Sequence, residues 1–254
     1  MKFIKLEMNK IIEVLIKTNV VMTGAWGFIN PFFAVFVTKQ IEDGSLVVIG
    51  IASAIYWLLK SVLQTPIAKL LDKLPSEDDD AFALLIGSFL ISIVPFGFLI
   101  SVKAIHIYFL YILLAFGDAL RVPSWNAIFT RHIDRGKENR EWGINSSLMG
   151  YILALTTLAG GWIAEKIGFQ GVFIFGGIVS ILGSLFCLTL SNYLRKMPGG
   201  RRTFKEFVSY LHDGILGSLF CITLSNYLRR MSGGKKTFKE FVGYLHDGIL
   251  GREK

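Results

Sequence analysis

The 254 residues are 52% hydrophobic and 13% aromatic, with a mean hydropathy of +0.53. That excludes an ordinary soluble globular domain, in which about 45–50% apolar residues is the norm even with Gly counted. The formal net charge of +8 gives no reason to invoke nucleic acid, because the basic residues gather in joints and in a C-terminal tail, as membrane topology alone would place them.

In chain order, Lys2, Lys5, Lys10 and Lys17 precede an apolar stretch that resembles a secretory signal. The stretch runs unbroken to about Val37 without a small-x-small cleavage site, so it is read as a retained first span over 19–37. Further apolar segments follow at 46–68, 81–102, 104–126, 143–163 and 171–192. Each is close to the ~20 residues needed to cross ~30 Å of hydrocarbon. In lipid a segment must satisfy its own backbone hydrogen bonds, so these are helices despite their Val, Ile and Phe content. The expected fold class is therefore an all-α membrane protein of six transmembrane helices. The joints are polar: KQIEDGS, LDKLPSEDDD, a tight corner at Lys103, RHIDRGKENREW and AEKIGFQ.

Charge sets the orientation. With the N-terminus in the cytoplasm, Lys39, Lys103 and Lys166 fall outside, Lys60 and Arg121 fall within spans, and the other 22 of the 27 Lys and Arg fall inside. Both termini are thus expected to be cytoplasmic, in a multi-pass protein of the inner or plasma membrane. The chain divides into a membrane domain over 1–192 and a basic tail over 193–254. Residues 183–216 recur at 217–250 with six mild differences, which marks a recent duplication. Cys187 and Cys221 are one cysteine copied by it, and no disulfide framework or Cys/His metal spacing is present. A seventh span over 207–228 would bury His212 and Asp213 and export Arg229, Arg230, Lys235 and Lys236. Amphipathic helices on the cytoplasmic face are expected instead.

Three patterns bear on function. Proline interrupts the spans GAWGFINPFF, with Trp26, Asn30 and Pro31, and GDALRVPSWN, with Pro123 and Trp125. If the six helices form two inverted three-helix repeats, these breaks fall in corresponding elements, which points to a solute cavity between helices one and four. Membrane helices also tolerate proline without any such role, as Pro66 and Pro95 illustrate. Second, Lys60 lies near the middle of helix two with Gln64 one turn on, and Asp118 and Arg121 share a face of helix four. A charge at that depth needs a partner or water. Either Asp118 and Arg121 neutralise each other while Lys60 snorkels, or these residues face a cavity. In the cavity reading Arg121 or Lys60 holds an anionic solute and Asp118 takes up a proton. Third, Gly143, Gly150, Gly160 and Gly161 on helix five and Gly171, Gly176, Gly177 and Gly183 on helix six permit close helix approach. No HExxH, nucleophile elbow, P-loop or paired-carboxylate motif appears, so neither an enzyme nor a cofactor is expected.

The chain resembles the N-terminal half of a major facilitator superfamily transporter. In the joint after helix two, AKLLDKLPSE matches that family's G-x-L-x-D-R-x-G-R signature at Leu70, Asp72 and Lys73, while Ala68, Pro75 and Ser76 depart from it. The passage from Gly117 and Pro123 through Arg140, Gly143 and Gly160-Gly161 to GFQGVFIF at 168–175 follows the family's order from helix four to helix six. Thr156 and Thr157 stand where the family's antiporters carry Gly-Pro, and Tyr111 stands where its helix-four arginine would fall. The resemblance implies alternating access about a central cavity, with Asp72 and Lys73 in a gating joint and a small solute of unknown identity as the other partner besides lipid. It also implies a half-size or truncated chain, completed by a second copy or by a second transporter half. The competing expectation is a non-transporting membrane anchor or assembly partner that presents its basic tail to anionic lipid or to another protein.

Overall fold

The computed structural model describes residues 8–74 and 77–194. Six α-helices follow one another: α1 (Lys10–Gln40), α2 (Leu46–Asp72), α3 (Glu77–Leu99), α4 (Ala104–His132), α5 (Glu138–Lys166) and α6 (Phe169–Leu194). All six are long and apolar enough to cross a membrane, and no strand forms among the described residues. The tail helices expected over 193–254 fall outside these residues apart from the last residues of α6.

The helix ends explain where the apolar windows misjudged the boundaries. α1 begins well ahead of the expected residue 19, because the amphipathic stretch from Lys10 buries Ile11, Ile12, Leu15 and Ile16 and the Asn9 side chain caps it, accepting a hydrogen bond from Ile11 N at 3.1 Å. Ser45 caps α2 in the same way, accepting from Val48 N at 3.3 Å. α3 stops at Leu99, short of the expected 102, where three-residue bonds from Ile100 N and Ser101 N tighten the last turn before the Lys103 corner. The joints at Gly136 and Gly168 take positive φ, +80° and +92°, which glycine adopts without Cβ strain. Pro31 and Pro123 do not break their helices: both lie inside continuous α1 and α4, as Pro66 and Pro95 lie inside α2 and α3. Neighbouring helices and local adjustments can re-satisfy the carbonyl that proline leaves free, so a break is not required.

The helices pack as a curled row in the order α2, α4, α3, α6, α1, α5, with lesser contact of α5 to α6 and of α1 to α4 and α2. Exchanging each helix with the one three places along the chain maps this row onto itself in reverse. The buried apolar residues form one cluster at each end of the bundle. One holds Phe33, Phe36, Phe98, Ile107 and Phe173, with Phe36 and Phe173 edge to face at 4.7 Å. The other holds Ile12, Leu15, Leu84, Trp125 and Phe129, with the two last rings stacked at 4.7 Å. Outward, α2 and α5 expose large apolar side chains, Leu58 at 69% and Leu158 at 77% among them. Such an exterior requires lipid as its solvent.

Small residues set the closest approaches, though not all where the sequence suggested. A Cβ on Gly87 of α3 would meet Gly117 O and lie 2.8 Å from Arg121 N on α4, and one on Gly160 of α5 would lie 2.8 Å from Phe28 O on α1. By contrast, a Cβ on Gly143 or Gly150 would have nothing within 4 Å among the described residues, so these two do not serve helix contact there. Gly87→Leu should therefore force α3 from α4 and destabilise the fold by about 1–3 kcal/mol. Gly150→Ala should be neutral or stabilising by a few tenths of a kcal/mol. Thermal unfolding of the two variants in the same detergent checks both: equal midpoints would refute the assignment.

Candidate functional site

Side chains three and four residues apart share a helix face. On α1 this rule brings Met22, Thr23, Trp26 and Asn30 to one side, and on α2 it brings Ser53, Tyr56 and Trp57 together. Tyr111, Leu114, Asp118 and Arg121 do the same on α4. These residues, with Ile91 of α3 and Leu153 of α5, line a half-open cavity of about 510 Å³. That volume lies within the range of small-molecule sites.

Three charges gather where α2 and α4 are near their midpoints. Asp118 Oδ2 accepts a hydrogen bond from the Tyr56 hydroxyl and a longer one, 3.4 Å, from Lys60 Nζ. Lys60 also donates to the Tyr56 hydroxyl at 3.0 Å, and its ammonium stands 5.2 Å from the Tyr56 ring centroid and 5.1 Å from that of Trp57. Lys60 therefore does not snorkel: a carboxylate on the neighbouring helix and two aromatic faces hold it in place. Arg121 Nη1 faces Asp118 Oδ1 at 3.8 Å, and its Nη2 donates to Asn19 Oδ1 on α1 at 2.8 Å. The Asn19 amide in turn donates to Asn145 Oδ1 at 3.3 Å and approaches Met149 Sδ at 3.1 Å, both on α5. One polar chain thus joins α2, α4, α1 and α5. All three charged side chains are mostly buried, and a half-satisfied network at such a level would be costly.

Of the residues singled out in the sequence, Trp26, Asn30, Asp118 and Arg121 lie on the cavity wall. Lys60 reaches that wall through its bonds to Tyr56 and Asp118. Gln64, half-buried one turn further along α2, is not among the lining residues. Trp125 is turned into the apolar cluster, where its indole N–H donates to Leu15 O at 3.2 Å. Asp72 and Lys73 are exposed at the end of α2. Beyond them, the acidic first turn of α3 meets the basic end of α4. Arg131 pairs with Asp80, and His132 Nε2 stands 2.8 Å from Glu77 Oε2. Several participants escaped the sequence reading, among them Asn19, Ser53, Tyr56 and Trp57. Tyr56 had a usable signal, since it sits four residues before Lys60 and so on the same face. Among the described residues no group of three or more His, Cys, Asp or Glu is placed to hold a metal ion.

A family model described as Major Facilitator Superfamily matches residues 18–244. No curated protein and no solved structure matches the chain.

The geometry makes Lys60 and Asp118 a coupled pair across two helices. Removing one partner strands the other charge, so Lys60→Met and Asp118→Leu should each destabilise the protein, while the double variant should lose less than the two together. A double-mutant cycle on unfolding should return a coupling of about 1–3 kcal/mol. Strict additivity would show that the two side chains do not meet.

Proposed function

Because this chain belongs to the major facilitator superfamily, we propose that it acts as a secondary transporter, carrying a small solute across the membrane by alternating access. The observation that carries this reading is the cavity of about 510 Å³ at the level where Lys60, Asp118 and Arg121 gather among α1, α2 and α4. An anchor has no need of three charges held around a cavity at a depth where each costs about 2.5–3.5 kcal/mol. A solute site does, because it must offer polar partners in a place that water reaches. Catalysis has no part in this reading.

The row of helix contacts that maps onto itself supports two inverted repeats, α1–α3 and α4–α6. Members of this family close their cavity between two six-helix halves. We assign the wall facing α1, α2 and α4 to a second half, from another copy or another polypeptide segment. Asp72 and Lys73 belong in this reading to the gating joint, next to the contacts that Arg131 and His132 make with Asp80 and Glu77. The membrane domain spans 1–192 and the basic tail 193–254, with both termini in the cytoplasm and the whole in the plasma membrane.

Alternating access is tested by cysteine labelling in a background with Cys187 and Cys221 replaced by Ser. Thr23→Cys and Ser53→Cys should react with a membrane-impermeant maleimide applied from either face of sealed vesicles. Reaction from one face only, or from neither, favours the anchor. Orientation is checked separately by reporter fusions: those after Lys39 and Lys166 should read external and those after Arg135 and Lys254 internal. The reverse pattern would overturn the assigned topology.

A further inference from the structure

Arg121 and Asp118 line the cavity and Lys60 stands behind Asp118 and Tyr56, and the distances decide which cation is already used. Asp118 Oδ2 takes hydrogen bonds from both Tyr56 and Lys60, and Lys60 has two aromatic faces besides. Lys60 is therefore the working counterion of Asp118. Arg121 stands further off, with Nη1 at 3.8 Å from Oδ1, an ion pair outside hydrogen-bond range. Among the described residues its one hydrogen bond goes to the neutral oxygen of Asn19, and its buried Nε has no partner. A guanidinium offers five N–H donors in a rigid fork suited to an oxyanion. Asn19, tied to α5 through Asn145 and Met149, fixes one edge of that fork and leaves the rest with only the longer ion pair to an Asp118 that Lys60 and Tyr56 already engage.

Resting on the transport reading above, we infer that the solute is an organic monoanion: a carboxylate or similar oxyanion on an aromatic or apolar body. One negative charge brings the site to neutrality. A dianion overshoots, and a cation adds to an existing excess in a medium of low dielectric. The body of the solute meets the rings of Trp26, Trp57 and Tyr111 together with Leu114, a wall that favours a flat or apolar group over a heavily hydroxylated one. Arg121 holds the anionic group, while Asp118 and Lys60 hold each other.

The test uses the full chain in nanodiscs of zwitterionic lipid, read by the fluorescence of the cavity tryptophans. Phenylacetate, 1-naphthoate and octanoate serve as anions, with phenylacetamide and phenethylammonium as neutral and cationic counterparts. At least one carboxylate should bind saturably and about tenfold or more tighter than the amide, with the ammonium ion weakest, since a charge-assisted pair is at stake. Arg121→Gln should lose that preference, and Arg121→Lys should retain part of it. If Arg121→Gln does not fold, the selectivity of the unaltered chain decides. The inference is overturned if no carboxylate binds, if the amide or the ammonium ion binds as tightly, or if a folded Arg121→Gln keeps full affinity. It is overturned as well if phosphatidylglycerol in the disc abolishes carboxylate binding, which would make the occupant a lipid headgroup. Uptake into proteoliposomes separates the two claims. A carboxylate that binds but is not taken up counts against transport and leaves the anion site standing, whereas uptake of the ammonium ion or amide alone supports transport and sinks the anion.

Discussion

A charge at the centre of a transmembrane helix costs about 2.5–3.5 kcal/mol even on lenient scales, and this chain carries three of them at one level. Lys60 on α2 and Asp118 on α4 cannot both stay in hydrocarbon unless the two helices lie side by side, which they do. Tyr56 closes the pair by donating to the same carboxylate oxygen. Arg121 is then left to find a partner elsewhere, and Asn19 on α1 supplies it. The need to satisfy these groups therefore fixes which faces of α1, α2 and α4 turn toward one another, and the cavity is the space that those faces leave between them.

Packing at the two ends makes this arrangement tenable. Apolar clusters close the bundle on either side of the polar level, one rich in phenylalanine and one built on Trp125, Phe129 and Leu15. Between them α3 must come near α4 beside Arg121, and the absence of a side chain at Gly87 and Gly117 permits it. On the other flank Thr157 donates to Gly27 O at 3.3 Å and draws α5 onto α1. That contact uses one of the two threonines that stand where the family's antiporters carry Gly-Pro. Packed ends around a polar waist are compatible with the alternating access proposed above, because packed surfaces shift between discrete arrangements rather than deforming continuously.

Much of this was legible in the sequence. Span length and hydropathy carry six helices, because an unbroken apolar run of about 20 residues satisfies its own backbone in lipid as a helix. Lys60, Asp118 and Arg121 stand out because charge is rare in such segments. What the sequence left open is which of them meet: Asp118 and Arg121 are three residues apart on one helix, yet the closer partner of Asp118 is Lys60 on another. Trp125 looked like part of the cavity because it follows Pro123, but its large ring is better accommodated in the apolar cluster, where its N–H finds a carbonyl. Gly143 and Gly150 read as packing residues because small residues usually are. Which face of a helix meets a neighbour is set by all six helices together, and no local pattern states it.

The polar level of the bundle depends on Lys60 and Asp118 meeting inside the bilayer. The most direct measurement is a rotational-echo double-resonance experiment on the chain in lipid, with ¹⁵N at the lysine side chains and ¹³C at the aspartate carboxyls. An Asp118→Asn sample, subtracted, isolates the pair. The Nζ to Oδ2 separation of 3.4 Å predicts strong dephasing that disappears in the subtracted sample. No dephasing attributable to Asp118 would mean that Lys60 reaches out to the headgroups, and the polar level on which the cavity depends would not exist.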